Sequence, residues 1–404
     1  MAMALEGIRI LEWTAFLNGP VGGYMLGDLG AEVIKIEQPV RGDPTRGMQS
    51  LFGASMIMGD LNVAFDMYNR NKKSVTLDLA KDEGKQVFYR LVERSDVFLT
   101  NYRKSLAAKL GLGYNTLRQY NPKLIYATCS GYGHTGSDVD QRVFDPIIQA
   151  RSGIMTVMGE RDAPPGQIVG AILDQLGGTL LAYGIMVALL ARERQGIGQE
   201  VDTSMLGGAV HLQFANVNTC LLRNREMARH SRTRARNPLA NHYQCADGKW
   251  LMLAEPQSDR FWHNFCEIMG IEELENDPKF ENALRRRETF AELIPILEKK
   301  FATKTRDDWM RLFKEKAQFA YASVNTIPDL TADPQVLENE YIIPLNHPRL
   351  GPIRIVGSPI RFSETPIAMR SLGPELGQHT EEVLLEIGGY SWEEITELKE
   401  QEVI

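Results

Sequence analysis

Ile8-Arg9-Ile10-Leu11-Glu12, then Asn18-Gly19-Pro20 running on through Leu26 to Leu29 and Gly30, then Val33-Ile34-Lys35-Ile36-Glu37 is the stretch whose reading decides the fold. The first and last runs are short and apolar-rich and read as strands. Asn18-Gly19-Pro20 breaks the first strand and opens a helix, which Gly30 closes where a C-terminal glycine belongs. Strand, helix and strand make a βαβ unit, and such units imply a parallel sheet with right-handed crossovers.

The pattern recurs outward from there. Ser74 to Leu79 alternates as a strand, and Glu83 to Glu93 sets Val87, Phe88, Leu91 and Val92 at helical spacing. Val97-Phe98-Leu99 and Leu124 to Cys129 return as strands, and a long helix is expected near Gly177 to Arg192. Residues 1–222 are therefore expected to form a doubly wound, Rossmann-like α/β domain. Six arginines between Arg223 and Arg236, with little apolar periodicity, read as an exposed connector. Residues 223–328 are expected to hold this connector and a smaller α+β domain. Its hairpin runs from Tyr243 to Leu253 with a turn at Asp247-Gly248, and helices follow around Phe261–Met269, Phe290–Phe301 and Trp309–Lys316. Short strands around Ile353 to Val356 come next, then a helix from Thr380 to Gly388 and the capping box Ser391-Trp392-Glu393-Glu394.

The chain has 404 residues, 24% charged and 43% hydrophobic, with a formal net charge of −7. At about 150 residues per domain this length predicts two or three domains, enough for a core without metal or disulfide staples. Collagen-like, disordered and mucin-like classes are excluded by composition. The acidic balance argues against a dedicated nucleic-acid binder, and an anionic ligand must be met by local Lys and Arg. Cys129, Cys220, Cys245 and Cys266 form no CxxC, which removes zinc-ribbon and thioredoxin-type readings. The stretch Met1 to Gly7 lacks the basic and apolar regions of a signal peptide. Leu176 to Ala191, the longest apolar run, falls short of the roughly 20 residues of a membrane span and reads as a buried helix. A cytoplasmic protein is the expectation, with neither membrane nor nucleic acid as partner.

Several groups are candidates for chemistry. Glu37 is placed like a ribose-binding acid, but Gly19, Gly22 and Gly23 do not make GxGxxG, so a tight strand-to-helix turn is the better reading. Arg70, Lys72, Lys73, Lys81, Arg103, Lys104 and Lys109 form a basic set at strand ends and loops, where ligands of open α/β sheets bind. Such a set suits phosphate groups, and a solvated surface is the plainer alternative. Asp162 lies in the loop Gly159-Glu160-Arg161-Asp162-Ala163-Pro164-Pro165 and reads as nucleophile or turn former. His134, His211, His230, His242, His263, His347 and His379 show no metal spacing, and no GxSxG elbow occurs. A metal site is not expected.

These pieces together resemble the family III CoA-transferases, which include the formyl-CoA and carnitine CoA-transferases. The resemblance rests on Leu5 to Leu11, Gly19-Pro20, Leu29 to Glu37 and Gly42-Asp43-Pro44-Thr45-Arg46. It continues through Asn71-Lys72-Lys73-Ser74, Asn121 to Ile125, Ser130-Gly131-Tyr132-Gly133, Cys245 to Gly248, Leu372-Gly373 and Gly377 to Thr380. The resemblance implies that Asp162 is the nucleophilic aspartate. It also implies that Leu77, Ala80, Asn101, Tyr102, Arg103, Lys109 and Ser130 contact coenzyme A, bound as a thioester substrate rather than as a resident cofactor. A carboxylic acid is then the second substrate, and succinyl-CoA a common donor. Leu17 stands where formyl-CoA transferase has a glutamine, with Asn18 adjacent, and no glycine-rich loop occurs around Asn237 to Asn241. Both departures allow an acid larger than oxalate.

The resemblance further implies an interlocked homodimer, or a heteromer with a homologous subunit, and a segment 329–404 that returns to the large domain. The α-methylacyl-CoA racemases resemble the same chain, and Asp174 matches their aspartate. Phe144, in Val143-Phe144-Asp145-Pro146, occupies their histidine position and cannot carry a proton. Transferase is the expectation, with racemase or a non-catalytic CoA-binding subunit as alternatives.

Overall fold

In the computed structural model the described residues are 2–51, 53–59 and 61–404; Met1 of the N-terminal stretch, Phe52 and Asp60 lie outside them. Six parallel strands form the main sheet, in the order Lys72–Thr76, Glu32–Glu37, Arg9–Trp13, Val97–Thr100, Ile125–Ser130, Glu200–Ser204. Numbered along the chain within this sheet, the order is 3-2-1-4-5-6, the doubly wound arrangement. Because both faces are covered, the central strands carry adjacent buried apolar residues rather than a strict apolar–polar alternation. Ile10, Val33, Val97 and Ile125 face one layer, while Leu11, Ile34, Phe98 and Tyr126 face the other. Neighbouring residues thus serve opposite cores, as the period of two requires.

On one face the helices Asn18–Asp28 and Ile172–Gln195 cross closely. Glycine permits the crossing: a Cβ at Gly178 would lie 2.5 Å from the Asn18 carbonyl oxygen and from Val21. Among the described residues, Ile172–Gln195 is the one helix long and apolar enough, by length and composition, to cross a membrane. It buries Leu173, Leu181, Ile185 and Leu189, which agrees with the expectation of a core helix.

The chain divides into two compact units, each described by itself. The first comprises residues 1–157, 166–227 and 358–404, and the second 158–165 and 228–357. The expected boundaries at 222/223 and 328/329 are corrected accordingly. Residues 327–357 stay in the second unit because Asp329 lies 3.6 Å from Arg306, and Arg354 Nη1 donates to the Thr331 carbonyl at 3.0 Å. The strand Gly351–Val356 pairs with Ile342–His347 there. The return begins at 358. Asn71 Oδ1 accepts from the amides of Arg370 and Ser371, and the His379 N–H donates to the Ser74 carbonyl, so the segment covers the exposed edge of Lys72–Thr76. In the second unit the hairpin Ala240–Gln244 and Trp250–Ala254 packs on an aromatic core that includes Tyr243, Phe265, Phe301, Trp309 and Phe313.

Candidate active site

Beyond the C-terminal ends of Arg9–Trp13 and Val97–Thr100 the sheet reverses its winding, and a crevice must open there. A cavity of about 730 Å³ occupies this place, within the range of small-molecule sites. Its walls come from Ala15–Asn18, Asn101–Ser105, Thr128–Gly131 and the segment 139–146, with Asp174 and Met205 closing it.

Asn101 clamps the first wall. Its Oδ1 accepts the Ala15 N–H at 2.9 Å, while its Nδ2 donates to the Ala15 carbonyl at 2.7 Å and to Asn18 Oδ1 at 2.8 Å. The same turn holds Phe16 at φ +62°, a left-handed conformation that costs a side-chain-bearing residue roughly 1–2 kcal/mol. Asp43 Oδ1 accepts the Phe16 N–H at 3.3 Å, and Lys35 Nζ lies 2.9 Å from Asp43 Oδ2. Glu12 joins the network at 3.1 Å from Lys35 and 2.8 Å from Lys72. These four side chains are buried. Burial works against charge on Lys35, but Asp43, Glu12 and Glu37 outweigh it and hold its pKa above the ordinary value. For Lys72 burial wins over Glu12, leaving its pKa lowered to about 8.

Asp174 stands in the first turn of Ile172–Gln195. Its pKa is pushed up to about 7, first by burial and then by the negative charge of Asp145. Asp145 is 2% exposed, and its Oδ2 accepts the N–H groups of Leu173 at 2.6 Å and Asp174 at 3.3 Å. Asp145 therefore caps the long helix from outside it, satisfying amides that have no helical acceptor. A carboxyl with a pKa near 7 divides between its acid and its base at neutral pH, and as carboxylate it is a stronger nucleophile than an ordinary aspartate.

The residues expected to make the site are dispersed differently. Asn101, Tyr102, Arg103 and Ser130 line the cavity. Leu77 is buried in the core, Ala80 is exposed on a turn closed by Asp78 Oδ1, and Lys109 is exposed at the end of helix Lys104–Lys109; none of the three lines it. Asp162 is exposed and belongs to the second unit, where Arg229 Nη1 donates to the carbonyls of neighbouring Glu160 and Ala163. Most of the basic set serves the fold: Arg70 pairs with Asp28, Lys72 with Glu12, Lys73 with Glu32 and Glu382, and Lys104 with Glu200 and Asp202. Arg103 and Arg142 are the exposed arginines at the cavity. His134 also lines it, with Nδ1 3.0 Å from Asp202. Reading residues alone passed over Asp145 and Arg142; the Asp145-Pro146 pair opening helix Asp145–Arg151 was the available signal. No group of three or more His, Cys, Asp or Glu able to hold a metal occurs among the described residues.

A crevice at the reversal point of a doubly wound sheet, holding a carboxyl poised near neutrality, is the layout of an α/β enzyme working on a small-molecule substrate. Residues 5–380 match the family described as CoA-transferase family III. The chain is 31% identical to the (R)-2-hydroxy-4-methylpentanoate CoA-transferase of Clostridioides difficile, covering 100% of both chains. It is 33% identical to the succinyl-CoA:glutarate CoA-transferase of Mus musculus, over 96% of this chain and 87% of that one. The crystal structure of a CaiB/BaiF family protein from Brucella suis superposes with a TM-score of 0.84 at 29% identity, covering 96% of this chain and 100% of that one. This chain belongs to the family III CoA-transferases, and it is an enzyme of that class.

Proposed function

We propose that the protein moves CoA from an acyl-CoA donor to a carboxylic acid acceptor through covalent intermediates on Asp174, the residue that takes the role expected of Asp162. The observation that carries this reading is the carboxyl of Asp174, partly buried in the cavity wall with its pKa raised to about 7. Its carboxylate attacks the donor thioester, forming an acyl–aspartyl anhydride and releasing CoA as thiolate. The thiolate attacks the aspartyl carbonyl, giving aspartyl-CoA and the free donor acid. The acceptor carboxylate then attacks aspartyl-CoA, and the thiolate returns to the acceptor's carbonyl, restoring Asp174. No proton is consumed, so the site needs charge stabilisation rather than a general acid.

Asn18 suits that stabilising role. Asn101 engages its Oδ1, which leaves its amide nitrogen as the donor for a developing oxyanion. Burial also restricts water, the competitor that hydrolyses an anhydride. Arg103 and Arg142 are the cations for the phosphates of CoA. A second copy is proposed to cover Phe214, Leu221 and Leu222, which lie exposed on a helix that buries none of its residues. Asp174→Asn should lower the rate of CoA transfer at least a thousandfold with folding intact, followed by chromatography of CoA thioesters. Transfer within tenfold of wild type would reject the reading.

A further inference from the structure

Phe16 and Phe144 come from separate segments, one from the turn after the first strand and the other from the residue before helix Asp145–Arg151. They meet edge to face, with ring centroids 5.7 Å apart and planes at 89°. Both line the cavity that Asp174 lines, yet the residues are 38% and 58% exposed. Packing alone does not account for this pair, because rings recruited to a core lose their exposure. Phe16 is, moreover, held at φ +62° through Asp43, which Lys35 anchors in a buried network. Strain retained at a cavity marks a side chain whose direction matters.

We propose that Phe16 and Phe144 form the acyl-selecting wall of the site and take the hydrocarbon end of an aryl- or branched-alkyl-substituted carboxylic acid and of its CoA thioester. The proposal rests on the cavity being the transfer site. An open edge-to-face pair offers a ring face and a ring edge, both suited to a third aromatic or a branched chain. A second carboxylate is poorly served there. Lys104 is committed to Glu200 and Asp202, and His134 lies against Asp202. The cations left are Arg103 and Arg142, assigned above to the CoA phosphates.

The test is exchange of carbon-13 label between a free acid and its own CoA thioester, which needs one acid at a time and no knowledge of the natural pair. The full-length protein is assayed with 3-phenylpropionate, 4-methylpentanoate, glutarate and acetate. Wild type should exchange the first two with kcat/KM at least tenfold above glutarate and acetate. Phe144→Ala, and Phe16→Gly, which accepts the left-handed backbone, should each lower the ratio of phenylpropionate to acetate at least tenfold. A uniform fall that leaves the ratio unchanged, or a wild-type preference for glutarate, overturns the proposal while the transfer reading stands. Failure of wild type to exchange any of the four acids would overturn the transfer reading, and the proposal with it.

Discussion

A carboxyl is fitted or unfitted for nucleophilic attack by its surroundings, and Asp174 shows what those surroundings supply. Burial raises its pKa first and the Asp145 charge raises it further, to about 7. Since the carboxylate is the attacking form, kcat/KM should fall as pH drops below about 7 and level off above it. Asp145→Asn removes a neighbouring negative charge and should move this acid limb to lower pH, as read from a pH–rate profile. An unmoved limb would mean that another group titrates. The resemblance to the racemases points to Asp174, but its pairing with Asp145 is not visible along the chain, because the two are brought together across 29 residues. Asp162 has the acidic, proline-rich loop that catches the eye, but such a loop is equally what a turn needs. A reading of single residues could name acids, and only the fold tells which one is buried beside another.

At the scale of elements, more was legible. The runs around Ile8–Glu12 and Val33–Glu37 became the central strands because an apolar stretch bounded by breakers has few alternatives. Helix Phe290–Phe301 has the expected bounds although Pro295 lies inside it, because the buried Leu293, Ile294, Leu297 and Phe301 recur at helical spacing. Charged residues misled: Lys72, read with the basic set as anion-binding or solvated, is buried against Glu12, which also pairs with buried Lys35. Lys35→Met should leave Asp43 without its buried counter-ion and Glu12 with Lys72 alone, and cost about 3–5 kcal/mol, read from denaturant unfolding. The turn bearing Phe16 depends on the same network. Gly178→Ala tests the helix crossing: its Cβ would press on Asn18 and Val21. The expected loss is about 1–3 kcal/mol from overpacking, even though alanine favours a helix over glycine by roughly 1 kcal/mol. An increase in the unfolding midpoint would show that the two helices can move apart.

For the whole molecule, the exposed apolar helix Phe214–Arg223 belongs with the proposed second copy. Leu222, 84% exposed, would then be an interface residue, and Leu222→Glu should shift sedimentation from dimer toward monomer at micromolar concentration. A wild-type monomer would remove that expectation. The net charge of −7 first pointed to the basic set between Arg70 and Lys109 as the anion site. Most of that set balances acids within the fold, and the cavity keeps Arg103 and Arg142. The central claim is that covalent transfer runs through Asp174. Its most direct measurement is peptide mapping by mass spectrometry after brief incubation with an acyl-CoA, with and without hydroxylamine. A hydroxylamine-sensitive acyl or CoA adduct on the peptide bearing Asp174, absent from Asp174→Asn, is the predicted result; an adduct on Asp162, persisting in Asp174→Asn, would contradict it.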